Sequence, residues 1–494
     1  MNRFQKQRSN HVLFRTAFLF VFTGLCLGTL FALSDAFVDK RILPKWYAFA
    51  FGTAAMLAVA AFQRTTECDR WRKKCDPFFF VIIVACAIQA LYGILQYARL
   101  LPVFDTFRLT GSFDNPTGFA AALCVGLPFA MPLFRNRHRS VRYLAGCAAV
   151  AMVVGVVLSG SRAGMLSVGV AGAIQGSSTL IRKPFVRRAM WGVLPILLVG
   201  LYFLKRESAD GRLLVWRCTA KMIADRPLLG HGPGGFAAGY MNYQADYFQE
   251  HPHTPYARLA DSVQHPFNEY LSVAVDYGLM GVVALAALLW GVARLYRRAV
   301  VGRDPAVRAA GACLIAIGVF ALFSYPFFYP FTWVMVLFSL WIGFGKPLPR
   351  GWGVRGIAVG AAVGLCVWAV GDWRLQRAWF RVDTLAARGY PSASYSRYRE
   401  LCPKFRRNRY FLYNFDYVLN EAGEYAEGLA VAEACGELWA DYYVELLRGE
   451  AALKLERYDE AERAFDQASA MCPNRFMPLY KLVELYTAMG REVE

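Results

Sequence analysis

The chain has 494 residues, 56% of them hydrophobic and 18% charged, with 55 Lys and Arg against 36 Asp and Glu and a formal charge of +19. So little charge in so long a chain excludes an ordinary soluble enzyme. The basic excess suggests nucleic acid at first sight, but its placement along the chain argues against that partner.

The apolar residues gather into runs of about 17–25 residues, each long enough to cross a bilayer as a helix. In chain order they are 12–33, 45–62, 77–98, 116–134, 141–159, 163–181, 188–205, 278–296, 306–325, 329–345 and 353–371. About eleven spans are therefore expected. Arg3, Lys6 and Arg8 precede the first run in the manner of a signal peptide. That run is too long for an h-region and no small-residue cleavage site follows it, so a retained first span is expected.

The basic residues cluster in alternate short loops: 63–76, 135–142, 182–188, 294–308 and 346–355. That alternation is the positive-inside pattern, and it puts the N-terminus and those loops in the cytoplasm. The loops 99–115, 159–162 and 206–277 are then outside the cytoplasm. An odd number of spans also places everything after about residue 372 outside. Much of the positive charge is thus a topology signal of a multi-pass membrane chain.

Four regions follow. Residues 1–205 hold the first part of the bundle, with about seven spans. Residues 206–277 form one long external loop, and loops of that length are usually functional. Residues 278–372 hold about four more spans. From 373 to 494 the composition shifts to Tyr, Glu, Ala and Leu with helical periodicity. In "YYVELLRGEAALKLERYDEAERAFDQASAMCP" (442–473), Gly449, Tyr458, Ala461, Phe465, Ala468 and Pro473 fall at the offsets of a tetratricopeptide unit. Residues 420–435 echo it and 476–490 begin another; the plainer alternative is a generic amphipathic hairpin. The fold class expected is all-α, a polytopic transmembrane bundle followed by a periplasmic tetratricopeptide-like solenoid. Cys402, Cys435 and Cys472 lie outside on this topology, but three is odd and no bridge is expected.

The external loop opens with "DGRLLVWRCTAKMIADRPLLGHGPGGF" (210–236). A dinucleotide loop needs a preceding buried strand and a cytosolic nucleotide. Here the glycines follow a helical-looking segment on the outer side and no Walker Lys-Ser/Thr pair follows, so they are expected only to stop a helix and turn the chain. The arginines carry more. Arg162 sits in "LSGSRAGML" at the outer end of an apolar run, Arg212 and Arg217 flank Trp216, and Arg108 precedes the Asn115–Pro116 turn that opens the fourth span. Ionisable residues at a membrane boundary mark substrate paths or merely snorkel. Guanidinium groups suit phosphate oxygens, and a lipid diphosphate keeps its tail in the bilayer and its head at the interface.

His265 precedes a helix running into the eighth span. It is either a helix-start histidine bonded to backbone or a base for a hydroxyl. Glu269 lies four residues on, on the same face if the helix starts early enough. His251 and His253 stand in a polar loop, no Asp-x-Asp pair occurs outside, and no metal or cofactor is expected.

Taken in order, "RLTGSFDNPTGFAAAL", "LSGSRAGML", "GRLLVWRCTAKMIADRPLLGHGPGGF" with Tyr240, and "HPFNEYLSVAVDYGLMG" resemble the bacterial O-antigen ligase and O-antigen polymerase superfamily across roughly residues 75–345. The C-terminal repeats resemble a subgroup with a periplasmic tetratricopeptide tail. The resemblance implies metal-independent, inverting transfer from an undecaprenyl-diphosphate-linked glycan. Arg162 and Arg212 would then hold the diphosphate and stabilise the charge growing on it. His265 would orient or deprotonate the acceptor hydroxyl. The common pattern has His and Asn adjacent, whereas here Pro266 and Phe267 intervene before Asn268, so either His265 or Glu269 takes that role. Arg108, Asn115, Arg217, Asn268 and Glu269 complete the candidate substrate-binding set.

Ligation to lipid A–core is the first reading. Polymerisation of repeat units and transfer to protein hydroxyls come next, with a lipid-linked glycan transporter or a scaffold as readings of a different class. The implied partners are the lipid-linked glycan, its glycan acceptor, membrane lipid and a protein partner on the repeats, with no nucleic acid. On this view, removing residues 374–494 weakens partner or acceptor choice more than chemistry.

Overall fold

The computed structural model describes residues 2–62, 75–103, 107–176, 200, 206–300, 304–344 and 351–491, and among them every regular element is helical. In chain order the principal helices are α1 (Asn2–Phe31), α2 (Leu43–Phe62), α3 (Asp76–Tyr97), α4 (Pro116–Gly126), α5 (Arg139–Leu158), α6 (Arg162–Gly176), α7 (Arg206–Asp225), α8 (Gly235–Glu250) and α9 (Glu269–Val300). They continue as α10 (Pro305–Ala321), α11 (Pro330–Phe344), α12 (Trp352–Ala387), α13 (Pro391–Phe405), α14 (Arg409–Ala422), α15 (Tyr425–Gly436), α16 (Tyr442–Lys454), α17 (Tyr458–Met471) and α18 (Met477–Ala488).

Among the described residues seven segments are long and apolar enough to cross a membrane: Phe14–Phe31, Leu43–Phe62, Asp76–Tyr97, Pro116–Leu133, Arg139–Leu158, Glu269–Arg297 and Trp352–Ala387. They coincide with seven of the expected runs. The runs at 306–325 and 329–345 appear as shorter apolar helices, Pro305–Ala321 and Pro330–Gly343. The run at 163–181 is helical from Arg162 to Gly176, and the run at 188–205 lies outside the described residues apart from residue 200.

Two compact units result, one of residues 1–196 with 289–376 and the other of 197–288 with 377–494. The first is organised about α4. Its sequence, "PTGFAAALCVG", is small and apolar all round, and every residue from Gly118 to Gly126 is buried. A helix apolar on all faces belongs at the centre of a bundle. Small residues let it approach closely: a Cβ on Gly93 of α3 would lie 2.5 Å from Phe119, and one on Gly126 would lie 2.4 Å from Cys86. Towards the other end Phe22, Phe78 and Phe338 interlock, with Phe22 5.3 Å from Phe78 edge-on and 4.9 Å from Phe338.

The second unit joins what composition alone separates. Leu214, Cys218 and Met222 of α7 and Phe236, Tyr240, Met241 and Ala245 of α8 form one core with Ala440, Tyr442, Ala468, Met471 and Cys472 of the C-terminal helices. Polar contacts reinforce it. Gln244 donates to the Met471 carbonyl at 2.8 Å, the Ala440 amide donates to the Ala237 carbonyl at 3.1 Å, and Asn474 donates to the Ala260 carbonyl at 2.9 Å. Arg475 pairs with Asp261 at 2.6 Å, and Ser262 donates to the Asp441 carboxylate. The 206–277 segment and the C-terminal helices therefore share a hydrophobic interior. The boundaries at 277/278 and 372/373 are set by span composition, while the fold groups residues by who buries whom.

Within the C-terminal helices, α16 and α17 pack closely. Phe465 is fully buried against Gly449, where a Cβ would meet the ring at 2.4 Å. Ala461 and Ala468 are fully buried as well.

Candidate functional site

The residues of interest fall in both units. In the second, α7 presents Arg212 and Trp216 one turn apart on one face. The Trp216 indole N–H donates to the Pro266 carbonyl at 2.9 Å, and the Arg212 guanidinium lies 5.5 Å from the centroid of the Phe267 ring. That distance is in the range where a cation is attracted to a ring face. Phe267 adopts φ +51°, a left-handed conformation that is strained for a bulky L-residue. Pro266 before it supplies no N–H, and Asn268 after it caps α9 by accepting from the amides of Tyr270 at 2.9 Å and Leu271 at 3.1 Å. The chain is thus pinned on both sides of a strained residue whose ring lies against Arg212.

His265 is half-buried just ahead of this turn. Burial is the main force pushing its pKa down to about 4, and the nearby Arg409 guanidinium adds to it. The imidazole is therefore neutral at pH 7 and able to receive a proton. Because α9 begins at Glu269, His265 stands outside the helix, and the helix face it was expected to share with Glu269 does not extend to it. Glu269 occupies the first turn, where a carboxylate is favoured by the helix dipole.

Arg217 belongs to a different cluster. It is exposed, donates to the Tyr247 hydroxyl at 3.1 Å and lies 5.9 Å from the rings of both Tyr247 and Tyr256. His251 stacks on Tyr247 at 4.6 Å. Among the described residues no group of three or more His, Cys, Asp or Glu could hold a metal ion.

The glycine-rich turn is a docking device. The amides of His231 and Gly232 donate to the carbonyls of Val275 and Asp276 at 2.8 and 2.9 Å, and Leu279 donates to Pro227 at 2.8 Å. Gly230, Gly232 and Gly234 all have positive φ. A Cβ on Gly230 would lie 2.4 Å from the Val275 carbonyl oxygen, so only glycine permits this approach. On the facing side α9 is kinked at Gly278, with φ 60° and ψ −154°. The N-terminal amides of α8 point at a protein carboxylate: Gly234 and Phe236 each donate to Asp276 at 3.3 Å. An acid supplied by the chain itself fills the place a phosphate would take in a nucleotide loop.

In the membrane unit, Arg108 is exposed in the loop before α4. Asn115 caps α4, accepting from Thr117 and Gly118 at 2.9 Å each, and donates to the Tyr329 hydroxyl at 2.9 Å. Its polar atoms are engaged within the protein, so its clear contribution is to hold the α4 terminus against Tyr329. Arg162 is the first residue of α6, after a turn in which Gly160 has φ 65°. Ser159 accepts from the Ser161 amide at 3.1 Å, and Ser161 accepts from the Gly164 amide at 3.2 Å. A guanidinium at a helix N-terminus adds to the positive end of the dipole, a potential that favours an anion.

Sequence reasoning missed Phe267, Asp276, Gln244 and Arg409. Gln264 and Arg409 are separated by 145 positions and no local pattern joins them. The only local hint for Phe267 was the Pro266 before it and the capping Asn268 after it.

No curated protein matches the chain. Residues 115–286, which include Arg162, Arg212 and His265, match the family model described as O-Antigen ligase, and this supports placing the chain in the O-antigen ligase superfamily.

Proposed function

We propose that the chain is a glycosyltransferase that moves a glycan from undecaprenyl diphosphate to lipid A–core at the periplasmic face of the inner membrane. The observation that carries this reading is the Arg212–Phe267–His265 arrangement within the matched segment. It sets a cation against the Phe267 ring, two residues along the chain from a neutral imidazole, and these are the two kinds of group such a transfer needs. The acceptor hydroxyl oxygen attacks the anomeric carbon, the bond from that carbon to the diphosphate oxygen breaks, and undecaprenyl diphosphate leaves. The hydroxyl proton passes to the His265 imidazole. Arg212 stabilises the charge that grows on the leaving diphosphate, which is often the largest catalytic contribution. Arg162 is proposed, separately, as a further anion-binding residue.

The low pKa of His265 fits this order of events. With no donor bound, the imidazole is a weak base. An anionic diphosphate beside it favours the imidazolium and raises its pKa. The acid limb of kcat, which reports the complex, then lies at higher pH than the acid limb of kcat/KM, which reports the free enzyme. The C-terminal helices are proposed to be tetratricopeptide-like, a reading supported by the Gly449–Phe465 packing of α16 against α17.

The test is surface-polysaccharide analysis of a deletion strain. Loss of a ligase leaves unattached lipid-linked long chains. Single units on the core would instead mark a polymerase, and an unchanged polysaccharide would remove both readings.

A further inference from the structure

We infer that Arg409, at the start of α14, is a positioning residue for His265 and holds it through the neighbouring Gln264. This rests on the reading of His265 as the proton acceptor. The Arg409 guanidinium donates to the Gln264 side-chain oxygen at 3.1 Å, and the Tyr410 hydroxyl donates to the same oxygen at 2.6 Å. Arg409 also donates to the Tyr410 hydroxyl at 3.0 Å, so the three groups close a triangle.

The clamp is itself braced. The guanidinium lies 4.9 Å from the Tyr410 ring centroid and 5.4 Å from that of Trp439. Asn408 caps α14 by accepting from the amides of Tyr410 and Phe411 at 3.1 Å each, which fixes where Arg409 leaves the helix. On the other side of His265, Trp216 holds the Pro266 carbonyl. His265 is thus flanked by two tethers, one from α7 and one from α14. A planar fork braced by two aromatic rings loses little freedom on binding an oxygen acceptor, which suits it to positioning.

The charged groups about this segment are Arg409 from α14, Arg212 from α7, Glu269 from the first turn of α9, Asp441, which accepts from Ser262, and the Asp261–Arg475 pair. Of these, Arg409 is the one whose charge lowers the His265 pKa. The base must be neutral to act, so activity falls as pH drops through that pKa. Removing the Arg409 charge raises the pKa and moves the acid limb of kcat/KM upward. A lysine keeps the charge but loses the fork.

The experiment uses the full-length chain in nanodiscs, an undecaprenyl-diphosphate-linked oligosaccharide as donor and lipid A–core as acceptor. Transfer is followed against pH, with amide exchange over residues 262–266. Arg409→Gln should move the acid limb of kcat/KM upward by up to about one pH unit. It should also speed exchange over 262–266 about tenfold, as expected for losing a hydrogen bond to a charged group. Arg409→Lys should leave the limb near its original position while exchange still rises. Tyr410→Phe, which removes one donor and no charge, should raise exchange alone and serves if Arg409→Gln does not fold. An unmoved limb and unmoved exchange in Arg409→Gln overturn the inference. His265→Ala separates the two claims. Full activity there removes the base and the positioning role with it, whereas an inactive His265→Ala beside an unaffected Arg409→Gln removes the positioning role alone.

Discussion

Gln244→Leu is the sharpest test of whether the 206–277 segment and the C-terminal helices are one folded body. Gln244 is fully buried on α8. Its amide donates to the Met471 carbonyl at 2.8 Å and to the Asp261 carbonyl at 3.2 Å, while its oxygen accepts from the Tyr240 hydroxyl at 2.8 Å. Leucine is close in volume, so the change removes bonds without opening a large cavity. Two groups, the Met471 carbonyl and the Tyr240 hydroxyl, then lose a partner in the interior, each costing about 1–3 kcal/mol when left unmet, while the Asp261 carbonyl lies nearer water. Neighbouring losses do not add fully, so about 3 kcal/mol is the working figure. Amide exchange limited by local opening reports that figure directly: 3 kcal/mol is about a hundredfold faster exchange. The acceleration should appear both at 240–262 and at 440–475, although the substitution lies only in the first. Lys221→Ala is the contrast, because its 2.9 Å pair with Glu250 is exposed and water screens it, so exchange should barely change. Acceleration confined to 240–262, or absent altogether, would refute the shared interior.

Other outcomes follow from the same geometry. Gly278→Ala places a Cβ 2.5 Å from the Leu228 backbone at a φ/ψ combination only glycine adopts readily, so it should cost about 1–3 kcal/mol for the backbone conformation alone and loosen the 227–236 turn, read as faster proteolysis there. Asp416 is buried beside Asn420, and burial lifts its carboxyl pKa to about 8. Since the folded value lies above the unfolded one, near 4, its contribution to stability is complete in acid and is lost as pH rises from about 4 to about 8. Asp416→Asn should flatten that part of the stability–pH curve, and an unaltered slope would contradict the assignment. Deleting residues 377–494 should leave the 206–277 segment unprotected and transfer abolished, because it strips Ala440, Tyr442, Ala468, Met471 and Cys472 from a common core. The sequence alone instead suggests that losing the tail weakens partner or acceptor choice more than chemistry; full turnover with a protected 206–277 segment would restore that view.

What the sequence discloses and withholds has a physical pattern. Apolar runs are a one-dimensional signal, so α1, α2, α3 and α5 could be read directly from hydropathy. Asn115, Asn268 and Asp304, each just ahead of its helix, cap it as short polar side chains there commonly do. The partner of the glycine turn, Asp276, is forty positions away and invisible to any local motif. The same holds for Gln264 with Arg409 and for Gln244 with Met471. The repeat offsets gave Gly449 and Phe465 as packing positions, but not that the neighbouring α17 turns its Ala468 and Met471 towards α8. That choice depends on which faces remain apolar once each hairpin has closed.

The central claim is that Arg212 stabilises the departing diphosphate. It is tested most directly by the in-vitro transfer rate of purified Arg212→Ala, with membrane insertion and amide protection of α7 checked in the same preparation. The account predicts a loss of about 10²–10³-fold in kcat, the size seen when one preorganised donor to developing charge is removed, with insertion and protection unchanged. An undiminished rate in a correctly inserted chain would contradict it.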